Sequence, residues 1–299
     1  MAESLVHLPR VRVRSVPAGG VRAITMRAIA GHPRALTGAI LTLIAVGIAV
    51  LGSVWTPYPP LSMNTSEAFL SPSLHHLMGT DVYGRDTFSR IMAGARVSLS
   101  VAAGASFGAL IVGTLLGLLA GFFRGIVDIL LTRIVDLMLA IPGLVMALGI
   151  VVLLGPSASS VTIALIAVYS WQFARIVRSS VVSVRGRPYV EAARGLGVSS
   201  GSVLFRDVFP SVMPVLVVQL ATAFAWGVLD EASIGFLGLG VQPPNPSWGS
   251  LLIEGRQYIY DAPWLSIGAG IMVVLAVFGV NLLGDGLNDI VDPRSGAAK

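Results

Sequence analysis

Cysteine is absent from the 299 residues, which excludes disulfides and thiolate metal sites. Lysine is almost absent. Nineteen of the twenty basic residues are arginine, and the single lysine is Lys299 at the C-terminus. A P-loop needs a lysine inside G-x-x-x-x-G-K-[ST] to reach the phosphates, and none stands in such a setting, so the chain carries no ATP-hydrolysing site of that kind and no catalytic residue is assigned. Charge of either sign is also scarce: Asp, Glu, Lys and Arg make up 12% of the chain, against about 25% in soluble domains. The four histidines, His7, His32, His75 and His76, all lie outside the apolar runs. The adjacent His75 and His76 have no cluster of carboxylates or thiols beside them, so they read as surface histidines and no metal site is expected.

What the chain does have is apolar length. Hydrophobic residues make up 55% of it, with a mean hydropathy of +0.82. A helix needs about 20 apolar residues to cross the hydrocarbon core, and six runs meet that: 36–55, 99–122, 126–154, 161–177, 212–239 and 264–284. Barrel strands would instead show alternating segments of about ten residues. The expected fold is therefore an all-α polytopic membrane protein with six transmembrane helices. Basic residues favour the cytoplasmic side. With the N-terminus inside, sixteen of the twenty basic residues fall on internal segments, while Arg85, Arg90, Arg96 and Arg256 fall outside. Both termini and the loop around Glu191 are thus expected in the cytoplasm. Residues 1–35 read as a cytoplasmic arginine-rich tail whose charges hold the first span and touch anionic lipid. Their near lack of acid also resembles a transit peptide, and a cleaved signal peptide is not expected because the first apolar run is long and holds no A-x-A site before Trp55. Residues 36–98 read as the first span plus an extracytoplasmic segment, and 99–299 as a five-helix core with a cytoplasmic loop at 178–210.

The second run carries Gly104, Gly108, Gly113, Gly117 and Gly121. Glycines spaced by four lie on one helical face and let a neighbouring backbone approach closely. They read as helix packing, within the bundle or against a partner subunit. Asp128, Arg133 and Asp136 stand early in the third run, where the arginine can pair with an aspartate of its own helix. Asp230 and Glu231 lie deeper, in the fifth run. Intramembrane carboxylates are functional hypotheses by default, proton or cation coupling among them. With no intramembrane histidine and no arginine in the same run, a packing or gating role is the reading taken.

The segment Tyr189-Val190-Glu191-Ala192-Ala193-Arg194-Gly195-Leu196-Gly197, followed by Pro210, is a polar hairpin between two apolar spans. Its spacing predicts a short helix ended by Gly197 in the left-handed region, then a second capped by Ser199 or Ser200, then Pro210 in the first turn of the fifth span. Ala192 and Ala193 leave one face flat enough to enter a groove, with Glu191 and Arg194 at its rim. Docking into a soluble partner and lying as an amphipathic interfacial helix are both compatible with these residues.

Glu191-Ala192-Ala193, then Gly197 and Pro210, resembles the EAA loop of bacterial ABC importer permeases. Three more segments resemble the dipeptide/oligopeptide/nickel branch of that family, in its order along the chain: Gly79-Thr80-Asp81-Val82-Tyr83-Gly84-Arg85-Asp86 with Ser89-Arg90 and Gly94-Ala95-Arg96; Phe236-Leu237-Gly238-Leu239-Gly240-Val241-Gln242-Pro243-Pro244 with Pro246-Ser247-Trp248-Gly249; and Asn281-Leu282-Leu283-Gly284-Asp285 through Asp292-Pro293-Arg294. The likeness is to the C-type inner-membrane subunit. Asp207, Phe209, Leu77 and Asn288 depart from the usual pattern. The resemblance implies the type I ABC importer permease architecture, a bacterial inner-membrane location, and a coupling role for Glu191, Ala192, Ala193, Arg194, Gly197 and Pro210. It also implies four kinds of partner: a second homologous permease subunit forming a heterodimer, two ATP-binding subunits that hold ATP and Mg, an extracytoplasmic substrate-binding protein, and the lipid bilayer. No cofactor is expected in this chain and no nucleic-acid partner. Expected cargo is di- or oligopeptide, with nickel chelates, glutathione or another small solute as alternatives within the family. A proton-coupled secondary transporter using Asp230 or Glu231 is the alternative from a different class.

Overall fold

Backbone polar groups have no water to bond in hydrocarbon, so a spanning segment must satisfy them internally, and long apolar runs fold as helices. The computed structural model describes residues 31–123 and 125–291; the tail at 1–30, Arg124 and the stretch 292–299, with Asp292-Pro293-Arg294 and Lys299, lie outside the described residues. In chain order the helices are α1 (Pro33–Val54), α2 (Thr87–Phe122), α3 (Ile126–Leu139), α4 (Gly143–Leu154), α5 (Ala158–Arg185), α6 (Pro188–Gly195), α7 (Ser200–Val203), α8 (Phe209–Phe236), α9 (Trp248–Arg256) and α10 (Trp264–Val291). A π-helical turn, Leu204–Val208, joins α7 to α8, so that Ser200–Phe236 is one long helical segment. With α1, α2, α5 and α10 it makes five helical segments long and apolar enough to cross a membrane, and the α3–α4 pair makes a sixth if it is counted as one span.

That pair corrects the reading of 126–154 as one continuous helix. Its two halves meet at 88°. Pro142 has no N–H to donate, and its ring biases Ile141 out of the helical region. The chain therefore leaves α3 at Ala140 and restarts with Pro142 as the N-cap of α4. The second span also differs. It starts at Thr87 rather than near residue 99, because Asp86 caps it by accepting the Ser89 N–H at 2.8 Å. Arg90 and Arg96, which the sequence assigns to an external segment, stand on the first turns of this helix.

Close approach of backbones holds the bundle together. Five of the six glycines of α2, Gly104, Gly108, Gly113, Gly117 and Gly121, face α5: a Cβ on Gly117 would lie 2.6 Å from Cβ of Val177, and one on Gly121 2.7 Å from Cβ of Val181. Thr162 lies beside Gly104 and Val181 beside Gly121, so α2 and α5 run parallel. At the opposite flank Gly38 of α1 packs on Leu283 and Gly286 of α10 on Ala35, an antiparallel pair. One apolar cluster joins α2, α4, α5, the 188–208 segment and α8; a second joins α1, α2, α8, α9 and α10. The 188–208 hairpin and the α9 region sit at opposite ends of this bundle, since α2 reaches the hairpin through Phe122 and α9 through Ile91.

Candidate functional site

The hairpin is built outward from a row of valines. Val190 of α6, Val203 and Val208 are buried with Val177, Val181 and Val184 of α5. That anchor turns Glu191, Ala192, Arg194 and Pro210 to the exposed side, with Ala193 half-buried. Gly197 ends α6 at φ +78°, the left-handed region where glycine carries no Cβ penalty. The N–H groups of Gly197 and Val198 reach back to the carbonyls of Arg194 and Ala193 at 3.0 and 3.2 Å. Ser199 then caps α7 by accepting the Ser202 N–H. Pro210 offers no N–H and its ring crowds the carbonyl one turn back. The π turn before it, in which the Phe209 N–H reaches the Leu204 carbonyl, makes room for that ring.

Two features of the hairpin are not visible in the spacing. Large apolar side chains stand at its tip: Leu196 is 86% exposed and Phe205 67%, with Tyr189 and Val198 also exposed. Arg194, expected at a docking rim, lies with its guanidinium carbon 4.9 Å from the ring centroid of Phe122, the last residue of α2. Arg185 donates to the carbonyl of Gly121 beside it. Arg194 therefore ties the hairpin, and Arg185 the end of α5 that leads into it, to the end of α2.

The other end joins segments that are far apart in sequence. Asp81 Oδ2 accepts from Arg85 Nε and Arg90 Nη1, both at 2.6 Å. Glu254 of α9 accepts from Arg90 at 2.7 and 3.0 Å and from Arg85 at 3.3 Å. Asp81, Arg85 and Arg90 are buried, so two cations and two anions balance one another in place of water. The fully buried Trp248 donates its indole N–H to the Ile91 carbonyl at 3.2 Å, and Trp264 donates to the Thr80 carbonyl at 3.2 Å. A cavity of about 240 Å³ opens beside the ion cluster, lined by Asp81, Tyr83, Arg90, Glu254 and Tyr258 among others. His76 corrects the reading of both adjacent histidines as surface residues. His75 is exposed, but His76 is 6% exposed. Its Nδ1 lies 2.8 Å from Oδ1 of Asp86, and its ring lies against Tyr58 with centroids 4.7 Å apart.

Within the bundle, Asp128 is met by Arg178 of α5 at 2.6 Å, not by Arg133, which is exposed together with Asp136. Asp230 Oδ2 accepts the Tyr169 hydroxyl at 2.7 Å. Glu231 is fully buried, and neither of its oxygens has a hydrogen-bond partner of good geometry.

Residues 113–296 match the family described as the binding-protein-dependent transport system inner membrane component. The chain is 41% identical over 260 residues to the dipeptide transport system permease protein DppC of Alkalihalophilus pseudofirmus, covering 87% of this chain and 86% of that one. It is 35% identical over 292 residues to the glutathione transport system permease protein GsiD of Pectobacterium atrosepticum, covering 97% of this chain and 96% of that one. Among solved structures it resembles a chain of the MetNI methionine ABC transporter in inward facing conformations, with a TM-score of 0.54 and 18% identity over 67% of this chain and 94% of that one.

Proposed function

The chain belongs to the binding-protein-dependent transport system inner membrane components, the permease family of ABC importers, and on that premise we propose that it is the membrane half of an ATP-driven importer of di- or oligopeptides. It is a multi-pass protein of the bacterial inner membrane. Peptide is the preferred cargo because DppC of Alkalihalophilus pseudofirmus, a dipeptide transport permease by name, shares 41% of its residues. The glutathione permease relative keeps a small tripeptide-like solute as the second reading.

The observation that carries the reading is the hairpin: a helix, a glycine turn and a second helix held on buried valines, with Leu196 and Phe205 bare at the tip. Exposed apolar side chains on a polar loop are what a groove in a soluble partner covers. The partner is an ATPase subunit that binds ATP and Mg, two of which serve the permease and a homologous second permease subunit. ATP-driven closure of these subunits pulls the hairpin, and Arg194 and Arg185 pass the pull to the end of α2 through Phe122 and Gly121. The helices rock to open outward, peptide enters from an extracytoplasmic binding protein at the end bearing Glu254, and hydrolysis resets access inward. In this orientation the hairpin and both termini are cytoplasmic.

The test is to change Glu191 and Gly197 to alanine together in the assembled complex. A Cβ at Gly197 meets nothing within 4 Å, so the cost there is the positive φ alone, roughly 1 kcal/mol. Peptide-stimulated ATP hydrolysis and uptake should both fall while the complex remains folded; unchanged rates would overturn the coupling role. Uptake into vesicles given ATP but no proton gradient separates this reading from proton coupling at Asp230 or Glu231. Transport should persist, and its loss would favour the secondary transporter.

A further inference from the structure

The first turn of α9 is wedged between α2 and α8. A Cβ on Gly94 of α2 would lie 3.3 Å from the Ser247 backbone, and one on Gly249 would lie 2.9 Å from the Ala232 carbonyl of α8. Helix N-termini leave backbone N–H groups without helical partners, and two of those in α9 are taken by serine hydroxyls. Trp248 N–H donates to Ser98 Oγ of α2 at 3.0 Å, and Ser250 N–H donates to Ser247 Oγ at 3.2 Å. Each hydroxyl accepts one bond and still has its own proton to give. Next to that Ala232 on α8 stands Glu231, fully buried, with no hydrogen-bond partner for either oxygen and with both serines nearby. An acid left alone in an apolar interior is strongly disfavoured. Two hydroxyl donors and the positive end of a nine-residue helix are the surroundings that offset such a cost.

We infer that Glu231 is a positioning residue that seats the N-terminus of α9, accepting the Ser98 and Ser247 hydroxyl protons. Seated in this way, α9 carries Glu254 to Arg85 and Arg90. The ion cluster at the mouth is therefore set from inside the bundle, by an acid that touches none of its members. This assignment does not depend on what the chain transports or on the sidedness of the hairpin. It predicts that Glu231 and Ser98 act as one unit.

The natural lack of cysteine makes the test direct. Leu251 of α9 is 4% exposed and Val177 of α5 is fully buried; each is changed singly to cysteine in the assembled complex and its reaction with a small maleimide is timed. In the native background both should be protected. Glu231→Leu should speed labelling at Leu251→Cys by about tenfold or more, and Glu231→Gln by less, with Val177→Cys still closed. Adding Ser98→Ala should have a clear effect in the native background and little once Glu231 is leucine. Unchanged protection in both Glu231 variants, or equal effects of Ser98→Ala in the two backgrounds, would overturn the assignment. If Val177→Cys also opens in the leucine variant, the near-isosteric glutamine variant decides the matter by the same two comparisons.

Discussion

The two ends of the bundle satisfy their polar groups in opposite ways. At the α9 end, Asp81, Arg85, Arg90 and Glu254 answer one another within the chain, and indole hydrogen bonds from two tryptophans tie α9 to α2 and α10 to the loop at Thr80. At the hairpin end, valines hold the helices from below, while Leu196 and Phe205 stand bare above. The first end pairs its buried charges within the chain, though Arg90 Nε has no hydrogen-bond partner, and the second leaves large apolar side chains on its loop uncovered. The contrast separates stability from recognition. Changes at the mouth should be felt in unfolding, and changes at the hairpin tip in association.

The largest effect on stability is expected from Arg90→Ala. It leaves the buried Asp81 and the half-buried Glu254 short of a cation, a loss of about 3–5 kcal/mol for breaking one partner of a buried pair. Denaturant unfolding of the purified chain should show it, and a loss under 1 kcal/mol would mean that the cluster is solvated and the contrast is wrong. Next comes Gly117→Val between the ends. Its Cβ would meet Val177 and the Ala174 carbonyl at 2.6 and 2.7 Å, an overpacking of about 1–3 kcal/mol. Gly104→Ala should be milder, because its nearest neighbour is a Thr162 methyl at 3.1 Å. Arg194→Ala removes one cation–π contact on an exposed side chain, about 0.5–1 kcal/mol. It should lower uptake by more than it lowers stability, since it cuts one of the two ties to α2. Leu196→Ser should change stability least, within about 0.5 kcal/mol, yet weaken retention of the ATPase subunits during purification. A destabilised but fully assembled Leu196 variant would reverse the comparison.

Much of this was legible in the residues, and the exceptions share a cause. The hairpin follows from local signals, with Gly197 for the turn, Ser199 for the cap and Pro210 for the re-entry, all within one short stretch. The glycine row of α2 signals a close neighbour, though not that the neighbour is α5 in parallel. Pro142 and Gly143 were there to mark the break in the third span, but apolar content on both sides hides a bend that leaves composition untouched. Long-range partners were out of reach. Arg90 and Glu254 meet across 164 positions, and nothing near His76 in sequence shows that Asp86 and Tyr58 enclose it. Arg194 illustrates the limit within a motif: spacing places it on an exposed turn, and nothing near it in sequence shows that its guanidinium lies against the Phe122 ring of α2.

The most direct test of the hairpin as the docking element is a cross-link from its tip. With no native cysteine to interfere, Leu196→Cys and Tyr260→Cys, both strongly exposed at opposite ends, are each combined with a short bifunctional reagent in the assembled complex. Leu196→Cys should capture an ATPase subunit and Tyr260→Cys should not. Capture of an ATPase subunit from Tyr260→Cys, with none from Leu196→Cys, would contradict the docking role of the hairpin.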